Sequence, residues 1–124
     1  MLKSLLLVFI GGGAGSMVRY LLHGYINKNI QTVFPIGTLM ANIIASFLVG
    51  FLAEKINHHT ISLWHKYLFI TGFCGGLSTF STFSYENVVL ITERQILLST
   101  IYTIVSVTVS ILFTFLGMLI SKKI

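Results

Sequence analysis

Three short polar breaks constrain this chain more than any other feature. "NKNIQT", "KINHHTIS" and "TER" cut it into four apolar runs, each about 20 residues or slightly more, the length that crosses a bilayer core as a helix. The runs cover residues 2–23, 35–54, 64–90 and 95–120. A soluble domain of this size would carry about 25% charged residues. This chain carries 9%, against 55% hydrophobic, and has too little polar surface to face water. The reading is one all-α membrane domain over residues 1–124 with four transmembrane helices. The N-terminal run has a signal-peptide flavour, but its apolar pattern continues past the glycines to Leu22, so it reads as the first span. Pro35 suits the first turn of the second helix, where its missing N–H is not needed.

The net charge of +5 is not a nucleic-acid signal, because the lysines sit at span ends. Lys3, Lys55, Lys66, Lys122 and Lys123 fall on the terminal side, and Lys28 and Arg94 on the other. That favours cytoplasmic termini. The bias is small once Arg19 is counted, as expected of a chain that inserts in both orientations. The single cysteine, Cys74, forms no intrachain disulfide and no metal-type spacing. His23, His58, His59 and His65 lie near span ends or in a loop, without paired acids or nucleophiles, so the chain does not read as an enzyme. "GGGAGS" lacks the Lys-Ser/Thr ending of a phosphate loop.

Two spans carry polar stripes. At about 100° per residue, Ser99, Tyr102, Thr103, Ser106, Ser110, Thr114 and Gly117 fall within an arc of roughly 120° on the fourth. Thr38, Asn42, Ser46 and Gly50 line one side of the second. Close helix packing explains such stripes by itself. A pathway lined by hydrogen-bond donors is the other explanation. An unpaired amide at membrane depth costs about 2–7 kcal/mol, so Asn42 requires either an interhelical partner or a solute. Gly11, Gly12 and Gly15 allow close packing of the first span. Arg19, inside that span, faces a watery cavity or snorkels to the interface.

The third run is interrupted at its middle by "GFCGGLSTFSTFS", residues 72–84. Backbone at this depth leaves the helix only where it is buried in protein or lines water. Gly75 and Gly76 weaken a helix by about 1 kcal/mol each relative to Ala. Ser78 and Thr79 are good N-cap residues for a restart. A broken helix is therefore expected. Its first half ends in free carbonyls, and its second half begins with free N–H groups and positive dipole. Phe80 and Phe83, spaced i, i+3, face one way on the second half.

The blocks "GGGAGSMVRY", "PIGTLMANIIASFLVG" and "GFCGGLSTFSTFSYE", in this order and spacing, resemble the Fluc (CrcB) fluoride channels of microbes. The resemblance spans essentially the whole chain. Ser78 stands where Thr is more usual and Ala45 where Gly is common. The first change keeps a carbonyl and a hydroxyl. The resemblance implies a dual-topology antiparallel dimer in the plasma membrane, with two fluoride pathways, exporting fluoride and so relieving its toxicity. It implies Phe80 and Phe83 as an aromatic box and Asn42 as their polar neighbour. It implies Tyr102, Ser106 and Ser110 as a polar track, with Thr38 and Ser81 as further pathway residues. Arg19 and Glu86 match charged positions near the aqueous entrances. Gly75 and Ser78 would bind a structural sodium ion, Na+, through main-chain carbonyls of both subunits. The partner is a second copy of the chain or a sister chain. The competing readings are a small multidrug antiporter and a membrane accessory subunit without transport. The antiporter needs an acid in its first span, and the acids here, Glu54, Glu86 and Glu93, all lie elsewhere.

Overall fold

The computed structural model describes residues 1–58 and 61–124, so His59 lies outside the described residues. Among the described residues all regular structure is helical. Helix α1 is Leu2–Asn29, α2 is Ile36–Asn57, α3 covers residues 63–77, α4 is Phe80–Thr92 and α5 is Ile96–Lys123. By length and apolarity α1, α2 and α5 can each cross a membrane. The expected third span is divided between α3 and α4.

The helices outrun the apolar segments. The first continues to Asn29 rather than stopping at His23, and the second to Asn57 rather than Glu54. Polarity marks where the chain meets water, not where hydrogen bonding stops. No Pro or Gly intervenes in "YINKN", and Lys28 and Lys55 in the last turns complement the negative helix ends. Pro35 is the N-cap residue of α2 rather than its first helical residue, and its carbonyl accepts from the Leu39 N–H at 3.2 Å.

Two helix pairs hold the fold, and each is closed by glycine. In the pair of α1 with α3, a Cβ at Gly11 would collide with the Leu68 carbonyl, at Gly15 with that of Phe73, and at Gly76 with that of Gly12. In the pair of α2 with α5, Gly50 lies on the Thr114 carbonyl and Gly117 on that of Phe47. Close packing is thus what Thr114 and Gly117 of the fourth-span stripe provide. Within α3, Lys66–Cys74 is wound as a π-helix, flanked by α-helical turns at Leu63–His65 and Gly75–Leu77. Ala41 and Ala45 of α2 and Cys74 and Leu77 of α3 form the fully buried centre that joins the two pairs. Most large apolar side chains face outward, as lipid-facing residues do.

Helices α4 and α5 are joined by a tight reversal. The Arg94 N–H donates to the Ile91 carbonyl at 3.0 Å and the Gln95 N–H to that of Leu90 at 2.8 Å, a Schellman cap. Arg94 takes the left-handed position at φ 61°, where glycine is usual. At the opposite end of the bundle, Glu54 is buried and accepts from His58 Nε2 at 2.9 Å, with Lys122 Nζ at 3.6 Å. One histidine expected to lack an acid partner therefore has one, because Glu54 and His58 share a helix face at i, i+4.

Candidate functional site

The site begins at the break. After Leu77 the backbone turns extended at Ser78 (ψ 155°) and Thr79 (φ −153°), and α4 starts at Phe80. Thr79 is the N-cap, its Oγ1 accepting from the Thr82 N–H at 3.2 Å. Asn42, on α2, bridges the gap: its Oδ1 accepts from the Thr79 N–H at 2.8 Å, and its Nδ2 lies 3.4 Å from the Thr79 carbonyl. The Asn42 amide thus stands in for the helix bond that the break removes.

The break costs several carbonyls their helical partners, and two of the diverted donors can be traced. In an unbroken helix the Thr79 N–H would donate to Gly75 and the Thr82 N–H to Ser78. Both donors are diverted, to Asn42 and to Thr79 Oγ1. Among the described residues no hydrogen bond from outside the helices reaches either carbonyl.

A cavity of about 250 Å³ opens beside the break, lined by Asn42, Ser46, Ser78, Thr79, Phe80, Phe83, Ser106, Val107 and Ser110. The Phe80 and Phe83 rings lie 5.6 Å apart, and Phe83 is 5.1 Å from Tyr102. The Ser106 hydroxyl is buried and has no hydrogen-bond partner among the described residues. Next to the cavity, Glu86 of α4 accepts from Thr38 Oγ1 at 2.6 Å and from the Tyr102 hydroxyl at 2.8 Å. Both donors are fully buried.

The sequence-chosen residues therefore separate into groups. Asn42, Phe80, Phe83, Ser106, Ser110 and Ser78 share the cavity wall. Thr38 and Tyr102 do not line it; they hold Glu86. Glu86, expected near an entrance, is held by this hydroxyl pair. Ser81 is exposed and lies 3.4 Å from Thr79 Oγ1. Arg19 is half-buried on α1 and has no ion-pair partner among the described residues. Ser46 and Thr79 belong to the wall but were absent from the expected pathway. The signal for Ser46 was present, four residues beyond Asn42 on the same stripe.

Residues 6–118 match the family described as CrcB-like protein, Camphor Resistance (CrcB). The chain belongs to this family. Relatives named "Fluoride-specific ion channel FluC" align along nearly their full length. That from Flavobacterium psychrophilum is 39% identical over 123 residues, covering 98% of this chain and 99% of its own. That from Pyrococcus abyssi is 43% identical over 124 residues, covering 98% of each. That from Aquifex aeolicus is 37% identical over 117 residues, covering 94% of each.

In this CrcB-like chain Gly75 itself is not unwound. It was expected to weaken the helix, yet it sits at φ −63°, ψ −35°, ordinary helix that any residue adopts. A Cβ there meets nothing nearer than the Ile70 carbonyl at 4.0 Å, and the residue is exposed in the single chain. The unwound residues are Ser78 and Thr79, because Asn42 and the Thr79 hydroxyl offer their neighbourhood better partners than the helix does.

Proposed function

We propose that this chain is a fluoride-specific channel, a passive exporter working as an antiparallel dimer in the plasma membrane. The observation that carries the reading is the cavity at the break, with its buried, unpartnered Ser106 hydroxyl. The relatives' names supply the ion. A small, strongly hydrated anion gives up water only where donors replace it. Ser46, Ser106 and Ser110 line one side with hydroxyls, and each can turn its O–H inward. Phe80 and Phe83 offer ring edges, which carry the positive part of the aromatic quadrupole. No lysine or arginine lines the cavity, so no fixed positive charge would trap the ion. Glu86 is already engaged by Thr38 and Tyr102 at one end of the hydroxyl row.

The test is anion efflux from liposomes holding the purified chain alone. Fluoride is expected to leave rapidly and chloride hardly at all. Comparable chloride efflux, or obligatory exchange of a drug cation for protons, would count against the channel. Fluoride efflux only when a sister chain is added would replace the homodimer with a heterodimer.

The same reading places a structural sodium ion at the dimer centre. The residues fit it: the Gly75 and Ser78 carbonyls, freed of helical partners, would hold it, and unwound carbonyls suit this hard cation. Bound only by the assembled dimer, sodium would stabilise it by mass action, about 2.7 kcal/mol at a hundred times Kd. Thermal melting of the detergent-solubilised dimer should therefore shift upward in sodium relative to a large organic cation at equal ionic strength. Equal melting in both removes the ion from the proposal.

A further inference from the structure

Helix α4 carries both rings, yet Leu90 is its only buried residue among those described. Polar contacts therefore share in setting its roll about its own axis, beside the packing of Phe83 on Tyr102 and the burial of Leu90. Asn42 holds its start and Glu86 its middle. The third contact is Asn87, which lies outside the cavity wall. Its Oδ1 accepts from Ser99 Oγ at 2.7 Å and from Thr103 Oγ1 at 3.0 Å, both on α5, the Thr103 proton being shared with the Ser99 carbonyl at 2.9 Å. Its Nδ2 donates to the Phe83 carbonyl at 3.0 Å. The amide orientation follows from chemistry: a carbonyl only accepts, so the nitrogen must face Phe83.

We propose that Asn87 is a positioning residue, clamping α4 to α5 so that the Phe83 ring meets the ion path in one fixed pose. One amide joins the Phe83 backbone to two hydroxyls of α5. On the same helix Tyr102, three residues after Ser99, packs on the Phe83 ring at 5.1 Å. Backbone and ring of Phe83 are thus both referred to α5. Loss of the amide leaves α4 free to roll and orphans the Ser99 hydroxyl, while that of Thr103 keeps the Ser99 carbonyl at 2.9 Å. The proposal rests on the channel reading above.

The test compares Asn87→Leu, which keeps bulk, with the pair Ser99→Ala and Thr103→Val, which removes the same bonds from the α5 side. Full chains are reconstituted in liposomes, and fluoride and chloride efflux and thermal melting are measured. Each arm is expected to slow fluoride efflux roughly tenfold and to lower the fluoride-to-chloride ratio. The combined triple variant is expected to be no worse than Asn87→Leu, since residues sharing one set of bonds do not add. Ser99→Thr, which keeps a hydroxyl, should conduct as the parent does. Unchanged rate and ratio in both arms overturns the proposal. So do losses that multiply with an unchanged ratio, because that pattern belongs to a merely structural contact. If Asn87→Leu does not assemble, the α5-side pair decides alone. A parent chain that moves no fluoride overturns the channel reading itself, and this role with it.

Discussion

Replacing both Phe80 and Phe83 by isoleucine is expected to slow fluoride efflux about a hundredfold, equivalent to ~2.7 kcal/mol on the barrier. The dimer should remain assembled. Isoleucine restores most of the bulk but has no quadrupole, so the substitution isolates the ring edges from the space they fill. The two rings differ in setting. Phe80 is 79% exposed in the single chain, and its ring contact is with Phe83 at 5.6 Å. Phe83 is half-buried and stacks toward Tyr102, so its single substitution also disturbs a helix contact. Phe80→Ile is therefore the cleaner probe of the anion, and Phe83→Ile should show some loss of thermal stability as well. Efflux unchanged in the double variant would remove the rings from the mechanism and leave the hydroxyls and Asn42 as the whole of it.

What the sequence made legible follows the range of each signal. The four apolar runs report transfer into lipid, a property of each segment alone, and the helices formed where the runs lie. The break was legible because Ser78 and Thr79 are local N-cap chemistry. The helix ends were not, because nothing in "YINKN" opposes continued winding once the chain leaves the apolar core. The hydroxyl stripe of the fourth span was visible on a wheel, but its division was not. Tyr102 is taken by Glu86, Ser106 is left free, and Gly117 is a packing contact. That division is set by α2 and α4, which approach α5 from different sides. The bonds of Thr38 and Tyr102 to Glu86 join residues 48 and 16 positions apart, beyond the reach of any periodicity.

The two adjacent glycines of the break offer the sharpest contrast, because the sequence treats them alike and the structure does not. Gly76→Ala is expected to prevent folding. Its Cβ would enter the Gly12 carbonyl, a backbone atom held by α1, with no flexible side chain to yield. Relief requires α1 and α3 to separate, which would also open the contacts at Gly11 and Gly15. Overpacking a side-chain core costs about 1–3 kcal/mol, and a backbone collision at a glycine contact costs more. Gly75→Ala should leave the fold of the single chain intact, since its Cβ would meet only the Ile70 carbonyl, at an ordinary contact distance of 4.0 Å. Any harm from Gly75→Ala must then come from outside the chain. If a second copy crosses at the break, Gly75→Ala should weaken the dimer and its sodium-dependent melting shift while helix content is kept. Circular dichroism and size-exclusion chromatography, run on both variants in sodium and in a large organic cation, separate these outcomes. A folded, dimeric Gly76→Ala protein would show that the α1–α3 contact has room for a methyl group. A Gly75→Ala protein with unaltered dimer stability would place the second copy elsewhere than on the break.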